Sequence, residues 1–197
     1  MGKKIIAIVQ ARMGSSRLPG KVLKILDGKK VIEHVFDRLA FCKNIHNIVL
    51  ATTTSKKDDV LEDWAIKNNV GYFRGDEEDV LSRYYNTAKK FNADVVVRIT
   101  SDCPFIDYKI VDRVIDHHLE KNVDYTSNVH PPSFPDGLDV EVFSFDALSI
   151  AKTNAKELKE REHVTPFIWD KNNNFKCQNF INDMGDMSDL RFTLDTK

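Results

Sequence analysis

Two hydrophobic spacings alternate along this 197-residue chain. Ile5-Ile6-Ala7-Ile8-Val9 is an unbroken apolar run of strand length, the pattern of a strand covered on both faces. Val31, Ile32, Val35, Phe36, Leu39 and Ala40 then recur at helical spacing, and residues 47–52 read as a second buried strand. The exchange repeats through Val60, Leu61, Trp64 and Ala65 (helix), residues 71–73 (strand), and Val80, Leu81, Tyr84, Tyr85, Ala88 and Phe91 (helix). Residues 94–100 predict a further strand, and Ile110, Val111, Val114, Ile115 and Leu119 a further helix. Successive strand–helix units predict a parallel sheet flanked by helices, with ligands at the carboxyl ends of the strands.

Past residue 120 the pattern loosens. Strands are expected at 140–145 and 175–181, helices at about 146–154 and 160–169, and a last strand at 190–195. The segment Pro131-Pro132 to Pro135-Asp136-Gly137 is a loop by its turn chemistry and a lid candidate by its length. No repeat or linker divides the chain, which has the length of one α/β domain.

Composition narrows the function classes. A hydrophobic content of 42% and a net charge of −1 fit a globular protein and argue against general nucleic-acid binding. The charge is ordered, however. Lys3, Lys4, Arg12, Arg17, Lys21 and Lys24 all precede the first carboxylate, Asp27, while residues 76–79 and 183–195 are acidic. Cys42, Cys103 and Cys177 have no metal-ligand spacing and suggest reduced thiols. Residues 5–9 are too short for a signal peptide, and no stretch has the length of a membrane span. The expectation is a cytoplasmic protein with neither nucleic-acid nor membrane partners.

The most informative segment is Gln10-Ala11-Arg12-Met13-Gly14-Ser15-Ser16-Arg17-Leu18-Pro19-Gly20-Lys21, directly after the first strand. Such a loop offers backbone N–H groups and fixed cations to a polyanion such as a triphosphate. A solvated basic loop would not need Gly14, Ser15, Ser16 and Gly20 together. Neither common phosphate motif is present: Gly20-Lys21 is followed by Val22, and Gly14 lacks the spacing of a dinucleotide fingerprint. In Arg98-Ile99-Thr100-Ser101-Asp102-Cys103-Pro104, Asp102 falls at a strand end, where it either holds a divalent cation or caps the next helix. Alternation in Gly137-Leu138-Asp139-Val140-Glu141-Val142 places Asp139 and Glu141 on one face, toward sugar hydroxyls or toward solvent. The run 156–163 is mostly a solvated helix face.

Residues 5–26 resemble the opening of the cytidylyltransferases that make CMP-Kdo and CMP-N-acylneuraminate, which reads Ala-Arg, a Ser-containing stretch, then Arg-Leu-Pro-Gly-Lys. The resemblance continues at 73–85, 98–105, 135–143 and 161–165, and is strongest to the group named after the spore coat polysaccharide protein SpsF. It implies a three-layer α/β/α nucleotide-diphospho-sugar transferase fold with a mostly parallel mixed sheet. It further implies transfer of CMP from CTP to a 3-deoxy sugar acid (Kdo, a neuraminate or another nonulosonate) with release of pyrophosphate, in surface or spore coat polysaccharide biosynthesis. Ala11 to Arg17 and Lys21 would bind the nucleotide, with Arg12, Lys21 and Asp102 catalytic. Thr100 and Ser101 would lie near the pyrimidine, and Asp102 and Asp195 would hold Mg²⁺. Arg74, Asp139, Glu141, Arg161 and His163 would meet the sugar acid: Arg161 as a carboxylate clamp, His163 as a base or donor. Arg83 shares the rim of the site with Arg74 and the acidic run 76–79. A homodimer is also implied. Members of the family continue past the Asp-Thr element with a helix, so a single domain cut short at its C-terminus is expected. Two other readings stay open: a glycosyltransferase of related fold using a nucleotide-sugar donor, which the lone carboxylate in Asp102-Cys103-Pro104 disfavours, and a non-catalytic nucleotide-binding domain.

Overall fold

The computed structural model describes residues 2–15 and 17–194. Strand β1 (Ile5–Gln10) is central because both its faces are apolar: Ile6 and Ile8 pack into one core, Ile5, Ala7 and Val9 into the other. After a small hairpin of β2 (Ile25–Leu26) and β3 (Lys29–Lys30), the alternation runs α1 (Val31–Leu39), β4 (Asn47–Thr53), α2 (Asp59–Lys67), β5 (Gly71–Gly75), α3 (Val80–Lys90), β6 (Val95–Thr100) and α4 (Tyr108–Lys121). It continues with β7 (Tyr125–Ser127), β8 (Glu141–Ser144), α5 (Phe145–Asn154), α6 (Leu158–His163), α7 (Pro166–Trp169) and β9 (Cys177–Asn179).

The main sheet has the order β5-β4-β1-β6-β8-β7-β9. Its first four strands are parallel, β8 is antiparallel to both neighbours, and β9 runs parallel to β7. Leu81, Tyr84 and Ala88 of α3 and Ala147, Leu148 and Ala151 of α5 cover one face. Val35 and Leu39 of α1 and Val111, Val114 and Ile115 of α4 cover the other, with Leu61 and Trp64 of α2 beside them. Each fully buried side chain of Leu or Ile size stabilises this sandwich by about 1.5–3 kcal/mol. The expected three-layer mixed α/β architecture is therefore the one observed. In register, Gln10 lies beside Ala51 of β4 on one side and Thr100 of β6 on the other. The order of strands reverses at β1, and such a switch point leaves a crevice at the carboxyl ends.

Three expectations are corrected and one strand is added. The helix expected over 160–169 is two, because Pro166 begins a new helix and Val164 between them turns the chain at φ 72°. Residues 190–194 form no strand; Arg191 makes only a single bridge with Asp136. The Pro131–Gly137 region is no free lid. Asp136 N donates to Leu190 O (2.9 Å), Phe192 N to Asp136 O (2.7 Å) and Met187 N to Ser133 O (3.0 Å), stitching it to the C-terminal segment. Finally, β7 is a strand that sequence patterning missed, since three residues with one large apolar side chain carry no periodic signal.

Candidate active site

The loop after β1 is shaped by its own backbone and by two anchors. Gly20 takes φ 68°, where a side chain is disfavoured, and its N–H donates to Met13 O at 3.0 Å, closing the loop on itself. Leu18 and Val22 are buried and fix its far end, and Leu18 N donates to Ser15 Oγ. At its near end Met13 N donates 2.7 Å to Asp58 Oδ1, a buried carboxylate that also accepts from Thr53 Oγ1. Lys21, only 9% exposed, thereby points across the switch point and places Nζ 2.7 Å from Asp102 Oδ2. Asp102 sits in the turn after β6, and its carbonyl accepts from Leu194 N at 2.9 Å.

Between these elements lies a cavity of about 820 Å³. Gln10, Ala11, Arg12, Ser15, Arg17 and Lys21 form one wall, and Arg98, Thr100, Ser101 and Asp102 the floor. The amino end of α3 supplies Asp76, Glu77, Glu78, Asp79, Val80 and Arg83, while α6 supplies Leu158, Arg161, Glu162 and His163. Cations of the loop thus face one carboxylate at the strand end, and a second rim belongs to α3 and α6. Arg12 Nη1 reaches Glu77 Oε1 at 3.3 Å.

Most of the residues expected at the site are gathered here: Ala11, Arg12, Ser15, Arg17, Lys21, Thr100, Ser101, Asp102, Arg161 and His163. Met13 and Gly14 belong to the loop but line no part of the cavity; Met13 packs beside α1 and α2. Ser16 and Asp195 lie outside the described residues. Arg161 reaches the cavity with its charge already matched, since Asp79 pairs with it and Lys152 O accepts from it at 2.9 Å. His163 is exposed on the same wall.

Three expected substrate contacts are placed elsewhere. Arg74 fastens β5 to β4 and α2, donating to Thr53 O (2.7 Å) and Ser55 O (2.9 Å) and pairing with Asp59 (2.7 Å) and Glu62. Glu141 faces inward: Arg98 pairs with it, and Tyr125 OH and Thr165 Oγ1 each donate to Oε1 at 2.6 Å. The Arg98 charge and these donors hold its carboxyl below the usual range although burial opposes this. Asp139 precedes β8 and is half-buried outside the cavity; burial first, then Asp136 and Glu141, push its carboxyl up to about 6. Gln10 and Arg98 are cavity residues that sequence reasoning missed. Their signal was a long polar side chain toward the end of an otherwise apolar strand, Gln10 as the last residue of β1 and Arg98 two residues before the end of β6.

Asp102 brings to the cavity a hard oxygen donor of the kind a divalent cation takes, here paired with Lys21. Among the described residues no set of three His, Cys, Asp or Glu side chains is arranged to hold a metal. A Mg²⁺ site completed by substrate oxygens and water fits one such carboxylate.

The fold and cavity define an α/β protein with a cation-walled cavity at a strand switch point, the place where such sheets take phosphorylated ligands. Known proteins narrow this. The sequence profile of the family described as Cytidylyltransferase matches residues 6–195. An uncharacterised protein of Methanocaldococcus jannaschii is 43% identical over 173 residues, 88% of this chain and 70% of that protein. The spore coat polysaccharide biosynthesis protein SpsF of Bacillus subtilis is 37% identical over 83% of this chain and 69% of its own length. The structure of a cytidylyltransferase from Leptospira borgpetersenii superposes with a TM-score of 0.93 at 36% identity, covering 99% of this chain and 82% of that one. The chain belongs to the cytidylyltransferase family and is a nucleotidyltransferase. No helix among the described residues is long and apolar enough to cross a membrane.

Proposed function

We propose that this protein transfers CMP from CTP to a 3-deoxy sugar acid and releases pyrophosphate. The observation that carries the reading is the Lys21–Asp102 pair at 2.7 Å, a cation from the far end of the loop after β1 and a carboxylate from the turn after β6, two neighbouring strands that end in register at the switch point. 3-Deoxy-manno-octulosonate cytidylyltransferases, such as that of Pelobacter propionicus (32% identical over 56% of this chain and 43% of that enzyme), support the acceptor class. The kinship with SpsF supports a role in surface or spore coat polysaccharide synthesis.

In this reading Arg12, Arg17 and Lys21 bind the triphosphate, and the backbone of the loop sets its direction. The acceptor's anomeric oxygen attacks the α-phosphorus in line, the bond to the bridging β-phosphate oxygen breaks, and pyrophosphate leaves. The hydroxyl proton passes to solvent or to His163 on the acceptor wall. Catalysis is mostly orientation and neutralisation of developing charge. Asp102 would hold Mg²⁺, which supplies Lewis-acid stabilisation of phosphoryl charge. Lys21 stabilises the same charge.

The test is pyrophosphate release with CTP, Mg²⁺ and Kdo, N-acetylneuraminate or another nonulosonate, together with thermal shifts for CTP, UTP, ATP and GTP. Selective stabilisation by CTP and acceptor-dependent pyrophosphate release are expected. Lys21→Ala should keep the fold and lose about 100-fold or more in kcat. Wild-type turnover in that variant would sink the reading, and CTP binding without release for any acceptor would favour a binding domain instead.

A further inference from the structure

Arg83 is the anomaly of the cavity wall. It stands on the first turns of α3 at 2% exposure, yet among the described residues no carboxylate pairs with it. Its Nη1 donates to two backbone carbonyls, Asp76 O at 2.5 Å and Glu77 O at 3.4 Å, and its Nε is buried with no hydrogen-bond partner. Burial pushes the guanidinium below its ordinary pKa and nearby Arg12 pushes the same way, while Tyr84, Asp58 and Asp76 oppose them without restoring it. A buried cation held by backbone carbonyls, with its nearest carboxylates Asp58 and Asp76 beyond ion-pair distance, is costly, and an anionic ligand in the cavity would offset that cost.

The surroundings point the same way. Glu77 ties the two guanidiniums together: its carboxylate takes Arg12 and its carbonyl takes Arg83. That carboxylate also lies over the glycine loop, 3.2 Å from the place a Cβ on Gly14 would occupy. A protein anion therefore sits against the loop, 3.3 Å from one cation of the pair, with its side chain 45% exposed and able to swing out. Arg83 itself packs its Cβ and Cγ over Gly75, 3.1–3.2 Å from where a Cβ on that glycine would stand, so the stem of the side chain is held against β5.

We propose that Arg83, with Arg12, forms an anion clamp for the polyphosphate of the nucleotide, and that Glu77 is the internal anion the polyphosphate displaces. This rests on the nucleotide reading above and adds to it a further phosphate-binding cation, drawn from a helix rather than the loop, and a built-in competitor. Because a carboxylate and a phosphate contend for one cation, removing the carboxylate strengthens binding and removing Arg83 weakens it.

The experiment measures affinity for CTP, inorganic tripolyphosphate and cytidine by calorimetry in wild type, Arg83→Met, Arg83→Lys and Glu77→Gln, with urea unfolding of each. Arg83→Met should weaken CTP and tripolyphosphate about tenfold or more and leave cytidine unchanged. Its unliganded stability should match or exceed wild type, since a buried charge is gone. Arg83→Lys should be intermediate, and Glu77→Gln should bind tripolyphosphate severalfold tighter. Equal tripolyphosphate affinity in wild type and Arg83→Met overturns the clamp. A loss confined to cytidine and CTP also overturns it, assigning Arg83 to the base. If Arg83→Met does not fold, Glu77→Gln decides: affinity unchanged or weaker overturns the proposal. Failure of wild type to bind CTP would instead strike the nucleotide reading itself.

Discussion

Gly137 shows how much one residue can constrain at this site. Its φ is 104°, and a Cβ there would stand 2.8 Å from the carbonyl carbon of Phe192 and 2.9 Å from Thr193 N. Both are backbone atoms, so no rotamer change relieves the overlap. Gly137→Ala therefore adds left-handed strain to a push on residues 190–194, for a cost of roughly 2–3 kcal/mol. That segment is tied to the carbonyl of Asp102 through Leu194 N at 2.9 Å. Urea unfolding should show the stability loss, and pyrophosphate release should fall more than tenfold; full turnover would mean that the 190–194 segment does not support Asp102. The residues legible beforehand were those whose chemistry was local: Arg12, Lys21 and Asp102 stand in loops whose composition announces an anion site. Arg74 and Glu141 were not legible, because their roles are set by partners 12 to 43 residues away, Glu62 and Arg98. A charged residue in a sequence does not declare whether its counter-charge is a substrate or a neighbour.

At the level of elements, α3 and α6 depend on one another through Asp79. Its Oδ1 accepts from Ser82 N at 2.9 Å and caps α3, while its Oδ2 pairs with Arg161 of α6. Asn is as good an N-cap as Asp but carries no charge, so two substitutions separate the two roles. Asp79→Ala should lower stability by about 1–2 kcal/mol, and Asp79→Asn by less than half of that, as read by urea unfolding. Equal losses would place the value in the ion pair rather than the cap. The boundary between α6 and α7 was hidden for a related reason. Thr165 N donates to His163 O at 2.8 Å across Val164, whose φ 72° and ψ −55° form the rarer, strained γ-turn. Periodicity through Val164 and Ile168 favours one helix, and only Pro166 hinted otherwise. The turn persists because Val164 is fully buried and Thr165 is held by Glu141.

Across the whole molecule, the parallel half of the sheet was legible because strands buried on both faces are continuous apolar runs, whereas β7 and β9 are three-residue strands defined only by pairing. The seam between α4 and β7 also sets a pH dependence. His118 of α4 is 1% exposed, with Nδ1 3.2 Å from Thr126 Oγ1 of β7. Burial, then the charge of Lys3, push its pKa down to about 4; Asp124 opposes this, and His117 adds to it. The unfolded chain therefore binds a proton near pH 6.5 that the folded chain refuses, so the stability due to neutral His118 is complete above pH 6.5 and is lost as pH falls toward 4. The size is about 3 kcal/mol over that window. Asp139 works in the opposite sense: with its carboxyl raised to about 6, the folded state holds a proton the unfolded chain has shed, and stability falls as pH rises from about 4 to 6. The two partly cancel in a wild-type profile, so the informative quantity is the difference between wild type and His118→Asn, in which Asp139 is common to both. That difference should be constant above pH 6.5 and should shift against wild type by about 3 kcal/mol between pH 6.5 and 4, measured by urea unfolding at each pH. A flat difference would mean that the seam opens to admit a charged imidazole, and that the α4–β7 contact is looser than its burial indicates.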